Sequence, residues 1–258
     1  MDLTRIQAYL RTAASRTRET GRFGPLLATF SADTDHPYLS YAIPDDGAEP
    51  SPADVAALIA GFGARERTPR VEYLPAVAPA AEAALLAGGF TLERRIALMV
   101  AQPGDAPDLA PPEGLELVLP RTRDELHACA IASAEAFGEP APGPADADRL
   151  AETIAAGGIA VLARSASTAE PAGAGLCTPP ADGATELAGI GVREPFRRRG
   201  LAGAITARLA REAFATGVTT AFLTPGDEGA FRVYERAGFT PRGEMLHLAA
   251  PRNHAARS

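Results

Sequence analysis

Residues 196–205 read FRRRGLAGAI and place three arginines directly before a glycine and an apolar segment. Apolar residues recur at every fourth position from Leu201 to Ala213, which predicts an amphipathic helix that begins just after Gly200. A helix N-terminus offers unpaired N–H groups and a partial positive charge, and glycine allows close approach to the backbone. Arginines beside such a turn add bidentate hydrogen bonds to phosphate oxygens. The pattern favours a polyphosphate site over an arginine run that is merely solvated.

The composition limits what else these arginines can do. The chain has 258 residues, of which 46% are apolar and 22% charged, and it fits one large or two small globular domains. Its formal net charge is −7. General nucleic-acid binding depends on lysine and arginine neutralising phosphates, so we expect no nucleic-acid partner.

Metal, disulfide and membrane signals are weak. The two cysteines, Cys129 and Cys177, make no disulfide framework, and the four histidines show no HxxxH or CxxC spacing, so we expect reduced thiols and no metal. No run of about 18 apolar residues occurs, and residues 1–19 lack the apolar core of a signal peptide. These patterns predict a cytoplasmic protein without a membrane partner.

Hydrophobic periodicity and turn residues predict helices and strands in both halves of the chain. The predicted helices are 3–18, 51–62, 79–87, 124–137, 146–156, 200–215 and 228–237. The predicted strands are 25–30, 37–43, 71–74, 91–100, 115–119, 159–163, 172–178, 186–192, 219–223 and 244–249. Residues 101–114, rich in proline, glycine and aspartate, are interpreted as a linker between domains 1–104 and 113–258. Several hairpin-like neighbours favour an α+β fold with a mixed sheet.

The chain also contains a weak internal repeat. The segments LAGGFTLERRIALM and ERAGFTPRGEMLHL align on GFT at an offset of 149 residues, and this offset carries the helix at 52–62 onto 201–211. It also pairs Arg197 with Ala48, Gly200 with Ser51 and Tyr234 with Leu85. We therefore interpret the first half as a truncated, degenerate copy of the second, and only the second copy has the residues for a site.

The second half resembles the GNAT acetyltransferase superfamily over about residues 115–250. The family's signature for acetyl-CoA is Arg or Gln, two residues, Gly, one residue, then Gly or Ala, and residues 197–202 read RRRGLA. A strand ending at Val192 precedes it, and YERAGF, residues 234–239, follows at the family's distance. The resemblance implies a mostly antiparallel sheet flanked by helices, with acetyl-CoA as co-substrate.

The resemblance also implies which residues hold the coenzyme. Backbone amides from Arg197 to Gly203 would bind the pyrophosphate, and the strand end would leave its neighbour at a bulge so that pantetheine enters the gap. Many relatives have asparagine where this chain has Asp227, which can cap a helix but puts a direct coenzyme contact in doubt. The implied coenzyme-binding residues are Ile190, Gly191, Val192, Arg197, Arg198, Arg199, Gly200, Leu201, Ala202, Gly203, Asp227 and Tyr234.

Two residues are candidate catalysts. Acyl transfer to an amine requires a base for the ammonium proton and an acid for the leaving thiolate. The resemblance assigns Tyr234 as the acid, and Glu186 is the candidate base on a strand where it shares a face with Ala188 and Ile190. Core packing of Tyr234 and a solvated Glu186 are the structural alternatives. Other candidates for catalysis, each better explained as structural, are Cys177, His127 and His247.

The sequence thus predicts an acetyl-CoA-dependent N-acetyltransferase that acts on a primary amine of a small molecule or peptide. A CoA-binding regulatory module without turnover is the alternative. For the first domain, two roles stay open that can coexist: it packs on the second domain and helps to wall the acceptor site, and it mediates homodimer formation.

Overall fold

A computed structural model describes residues 3–31 and 39–252 of the chain. The chain forms two compact units: Met1–Leu98 with Gly243–Ser258, and Met99–Arg242. The first two residues of the predicted strand 37–43 lie outside the described residues, as do His36 and His254. No helix within the described ranges is long and apolar enough to cross a membrane.

The helices and strands follow the predicted order, with one addition. The helices are α1 (Leu3–Ser15), α2 (Pro52–Gly63), α3 (Ala81–Ala87), α4 (Arg123–Phe137), α5 (Pro144–Ala155), α6 (Leu201–Ala215) and α7 (Glu228–Arg236). The strands are β1 (Glu19–Phe23), β2 (Leu26–Phe30), β3 (Tyr41–Pro44), β4 (Arg70–Tyr73), β5 (Thr91–Ala101), β6 (Leu115–Val118), β7 (Ile159–Ser165), β8 (Pro171–Cys177), β9 (Ala184–Val192), β10 (Thr220–Leu223) and β11 (Thr240–Ala249). The sequence analysis missed β1, whose ETGRF segment has few apolar residues and is largely exposed.

The first unit builds a sheet in the order β1-β2-β3-β4-β11. Its pairs are antiparallel except β3 and β4, which are parallel. Helix α2 begins as predicted: the Ser51 hydroxyl accepts a hydrogen bond from the Asp54 N–H, the Asp54 carboxylate accepts one from the Ser51 N–H, and Pro52 occupies the first turn. The buried side chains of α2 join a core with those of β2 and β4.

The second unit builds a sheet in the order β6-β7-β8-β9-β10, with residues 99–101 of β5 paired to β10. All pairs are antiparallel except β9 and β10. Along β7, Val161 and Ala163 pack into the core with α6, whereas Leu162 packs with α4, so the two helices cover opposite faces. Every predicted apolar position of α6 from Leu201 to Ala213 is buried. The predicted α+β fold with a mostly antiparallel sheet flanked by helices is confirmed.

The compact units do not follow the predicted domain ranges 1–104 and 113–258. Residues 246–249 of β11 pair with β4 in the first unit, and residues 99–101 of β5 pair with β10 in the second. An offset of 149 relates β5 to β11, so the end of each of these strands lies in the unit built around the other copy. The segment after Ala101 has no helix or strand up to residue 114, as its composition predicted. It is not the boundary between the units, however, because that boundary follows from which strands pair.

Candidate active site

Strands β9 and β10 part halfway along β9. Their parallel pairing covers Ala184–Glu186, and from Leu187 onward the recorded partner of β9 is β8 alone. In that second pairing Leu176 is opposite Ala188 but Ala174 is opposite Gly191, so β9 carries one extra residue. The extra residue creates a bulge at Gly189, whose φ is 60°, a value that suits glycine.

The bulge corrects one predicted orientation. Ile190 packs into the α6-side core with Leu187, so it does not share a face with Glu186. The next residue, Gly191, faces α4, where a Cβ would lie 2.7 Å from the Ala136 Cβ. The extra residue reverses the side-chain alternation, and Glu186 stays on the face opposite Leu187.

The turn after β9 leads directly into the N-terminus of α6. A short 3-10 turn, Glu194–Phe196, is followed by Arg198 at φ 60° and Gly200 at φ 87°. Both values lie in the left-handed region. Gly200 is the N-cap of α6, and within the described part of the chain no side chain caps its first amides, in contrast to α2, α4 and α7. The first turn of α6 therefore keeps its N–H groups available for an anion.

This helix end opens into a cavity of about 730 Å³. Residues 197–203, the predicted anion-binding turn, all line it. Opposite them lie Gly229, Val233 and Arg236 of α7, together with part of the 101–114 segment. Arg236 was not among the predicted residues; it follows Val233 by three positions and so shares its face of α7.

Arg197 braces the turn instead of pointing a free charge into the cavity. Its Nε donates to the Val192 carbonyl and its Nη2 donates to the Ala136 carbonyl, each at 2.9 Å. These two bonds tie the turn to the end of β9 and to α4. We therefore expect Arg197 to support phosphate binding by holding the turn in place and not by contacting the phosphate.

The other two arginines differ from each other. Arg199 donates to the Glu113 carbonyl at 3.1 Å and so holds the 101–114 segment beside the turn. Arg198 is exposed, and no group within residues 3–31 and 39–252 accepts a hydrogen bond from it. Arg198 is therefore the member of the triplet whose guanidinium is available for a ligand.

Tyr234 lies on α7, half-buried against the core of the second unit. Burial raises the pKa of its phenol above the usual 10, and the negative charge of Asp227 adds to the increase. Tyr234 is thus protonated at neutral pH, as an acid must be. Asp227 caps α7, and its Oδ1 accepts from the Ala230 N–H at 2.8 Å, as the sequence predicted.

Glu186 lies on β9, half-buried, at the last recorded pair before the strands part, opposite Phe222 of β10. Its backbone is fixed by Thr178, whose N–H donates to the Glu186 carbonyl at 2.9 Å. Glu186 therefore lies beside the opening between the strands, on the α4 face.

The alternative candidates are less suited to chemistry. Burial raises the pKa of the Cys177 thiol to about 12 and of the Cys129 thiol to about 12, so neither is a thiolate at neutral pH. His247 belongs to the first unit, where its Nδ1 lies 3.3 Å from Glu72. His127 lies on α4 and is half-buried.

A second cavity, of about 260 Å³, lies on the α4 face of the second unit. It is lined by α4, α5, β7 and β8, is open to solvent on one side, and reaches Gly189 at the bulge. Leu176 lines this cavity and pairs with Ala188 of β9. Glu186 lies two residues before Ala188, so it is a diagonal cross-strand neighbour of Leu176, at about 7–8 Å between their Cα atoms. We call it the α4–α5 cavity.

Among the described residues, no group of three or more His, Cys, Asp or Glu side chains could hold an ion.

Comparisons with known proteins agree with this geometry. The model of the acetyltransferase (GNAT) family matches residues 126–239. A GCN5-related N-acetyltransferase from Kribbella flavida is 30% identical, with 98% of this chain and 97% of that chain covered and a TM-score of 0.81. No curated protein sequence matched.

Two further solved structures share the fold at lower identity. A GCN5-related N-acetyltransferase from Sphaerobacter thermophilus is 19% identical over 87% of this chain and 76% of its own, with a TM-score of 0.64. A tandem GNAT protein from the clavulanic acid biosynthesis pathway is 15% identical over 87% of this chain and 78% of its own, with a TM-score of 0.63.

Proposed function

Because this chain belongs to the GNAT acetyltransferase family, we propose that it transfers the acetyl group of acetyl-CoA to the primary amine of a small molecule or peptide. The observation that carries the proposal is the uncapped N-terminus of α6, which faces a cavity lined by the three arginines. When bound, acetyl-CoA supplies an activated acyl group as a thioester.

The turn from Arg197 to Gly203 fits a diphosphate. The left-handed Gly200 exposes the first amides of α6, and the space beside its Cα is open, with no atom within 4 Å of a Cβ built there. Arg198 supplies an unpaired positive charge at the same turn. Backbone amides and a guanidinium are the donors that phosphate oxygens accept from.

The end of β9 is proposed to receive the thioester. Beyond Glu186 its backbone is no longer paired with β10, so Ile190, Gly191 and Val192 border the opening between the strands. Backbone N–H groups there are placed to stabilise negative charge on a carbonyl oxygen in the transition state.

Two side chains move the protons. Glu186 accepts the proton of the substrate ammonium, directly or through water, which frees the nitrogen lone pair to attack the thioester carbon. A C–N bond forms, the C–S bond breaks, and the nitrogen releases its second proton to solvent, from which the Tyr234 phenol is restored. Tyr234 donates its phenolic proton to the leaving sulfur, since burial keeps that phenol protonated at neutral pH.

Replacing Glu186 with glutamine should lower kcat/KM for the amine about tenfold at pH 7, because the amide cannot accept a proton. The loss should shrink as pH rises towards the amine pKa, since more substrate is then already neutral. A pH profile of initial rates tests this.

The matched control is Asp182→Asn, which removes a carboxylate from the turn before β9 where φ is 49°, a conformation that asparagine tolerates. It should leave the profile unchanged. An unaltered profile in Glu186→Gln would assign the base to another group.

Thiol release from acetyl-CoA in the presence of an amine panel tests the proposed function as a whole. Turnover with at least one amine supports it. Coenzyme binding without turnover for any amine would favour a regulatory CoA-binding module instead.

A further inference from the structure

The α4–α5 cavity has a composition that selects among amines. Most of its lining is small and apolar, from Ala130 and Ala134 on α4 to Ala160 and Ala174 on the strands. Its volume of about 260 Å³ is below the range of about 300–1,000 Å³ that is typical of sites for drug-sized ligands. A compact substrate fits this space and a folded protein surface does not.

The charges of the cavity disfavour a carboxylate. Glu139 and Asp146 line it, and Arg149 is its one basic lining residue. Asp146 engages that arginine in an ion pair at 2.5 Å, while its other oxygen accepts from the Gly143 N–H at 2.7 Å. The lining therefore has a net charge of −1, which attracts an ammonium group and repels an anionic one.

Hydrogen bonding inside the cavity is sparse. The Thr153 hydroxyl already donates to the Arg149 carbonyl at 2.9 Å, and burial raises the pKa of the Cys129 thiol to about 12, so it stays neutral. Within residues 3–31 and 39–252 no hydrogen bond is recorded for the Ser133 hydroxyl. One hydroxyl is thus available to a ligand.

From these features we infer that the acceptor is a compact, largely apolar primary amine without a carboxylate, and that Asp146 determines this preference. The inference rests on the proposed function. The amine end lies towards Gly189 and the apolar body lies between α4 and α5.

Matched pairs of amines test the inference. Phenethylamine with phenylalanine, tyramine with tyrosine, and isoamylamine with leucine differ by one carboxylate each. We expect the amine of each reactive pair to have the higher kcat/KM. Equal or better rates with the amino acids, or turnover of polyamines or peptides alone, overturn the inference while the proposed function stands. Failure of every amine tested would count against the proposed function itself.

The variant Asp146→Asn keeps an acceptor for the Gly143 N–H but releases the charge of Arg149. The rate with each amino acid, relative to its matched amine, should rise about two- to fivefold. Asp148→Asn is the control, because Asp148 forms an equivalent pair with Arg123 at 2.9 Å and does not line the cavity. An unchanged ratio in Asp146→Asn contradicts the assigned role of Asp146.

A different observation concerns the first unit. Its parallel strands β3 and β4 pair at Ala42 and Val71. Beyond that point the side chain of Gln7, from α1, bridges them: its Nε2 donates to the Pro44 carbonyl at 3.1 Å, and its Oε1 accepts from the Leu74 N–H at 2.8 Å. Gln7 is completely buried.

The bridged position has a counterpart in the second unit. At the offset of 149, Pro44 and Leu74 correspond to Arg193 and Leu223, at the ends of β9 and β10. The registers differ, because Ala42 pairs with Val71 whereas Thr220 pairs with Ala184 and not with Gly191, so β9 and β10 part earlier than β3 and β4. A pantetheine arm also presents amides, with one N–H and one C=O each. The Gln7 amide makes the same two kinds of hydrogen bond to the separated strands.

We propose that α1 occupies, in the first unit, the place that the proposed function gives to the pantetheine arm in the second, so that the first unit binds no acyl-CoA; this inference, too, rests on the proposed function. The neighbours of Gln7 on α1, namely Ile6, Tyr9 and Leu10, are buried too. The cleft is thus filled by a helix of the protein's own chain.

Calorimetric titration of the intact protein with acetyl-CoA should give one site per chain. Replacing Gln7 with leucine leaves the Leu74 N–H buried without its acceptor, so that amide should exchange hydrogen about tenfold faster or more and Tm should fall by about 2–8 °C. Gln102→Leu, at an exposed position, is the control. Two sites per chain in the natural protein, or unchanged exchange at Leu74 in the Gln7 variant, overturn the proposal.

Discussion

Replacing Gly200 with valine should weaken acetyl-CoA binding by about 30-fold or more while the protein stays folded. Gly200 has φ 87°, a conformation that costs a β-branched residue about 2 kcal/mol or more. Relief of that strain requires the turn to rotate, which turns the amides of Leu201 and Ala202 away from the cavity. The new side chain also points into open space beside the proposed diphosphate site.

The other end of the same helix offers a matched control. Gly217 has φ 95° and, like Gly200, no atom within 4 Å of a built Cβ. Gly217→Val therefore imposes similar backbone strain without touching the cavity. Calorimetry should show weak binding for the Gly200 variant and normal binding for the Gly217 variant, with similar decreases in Tm. Equal affinities in the two variants would place the coenzyme elsewhere.

Replacing Tyr234 with phenylalanine should lower kcat about 10²-fold with little change in KM for acetyl-CoA, because only the proton donor is lost. The raised pKa of this phenol also predicts a pH dependence. Because the acid form is active, the natural enzyme should lose turnover only as pH rises above 10, and the variant should lack that decrease.

Tyr73→Phe is the control for this variant. The Tyr73 hydroxyl is buried and has no hydrogen-bond partner among the described residues, so its removal breaks no hydrogen bond. Turnover should stay the same, and stability should not fall. Normal kcat in Tyr234→Phe would leave Tyr234 with a packing role and would require another acid.

The local rules of helix and turn formation predicted much of this fold. The Ser51 capping box, the apolar stripe of α6 and the Asp227 cap all depend on residues within a few positions of each other, so short segments of sequence contain the relevant contacts. By contrast, β1 was missed because its exposed residues lack an apolar alternation and pairing with β2 holds it in place.

The conformation of the turn proposed to bind the diphosphate was predictable to the same degree. Its elements are continuous in sequence, since a strand end, three arginines, a glycine and a helix follow one another from Val192. The partners of the arginines were not predictable. Arg197 and Arg199 donate to carbonyl groups 61 and 86 positions away, and those distances in sequence leave no local pattern.

By itself, then, the sequence determined the class of fold, the turn proposed to bind the diphosphate and the family resemblance, because each depends on residues that are neighbours along the chain. Only the tertiary structure decided that β5 pairs with β10 and that β11 pairs with β4. It also decided that the bulge lies at Gly189 and that Gln7 bridges β3 and β4. Strand pairing and buried hydrogen bonds join residues far apart in sequence, and their choice depends on which backbone groups the whole fold leaves to be satisfied.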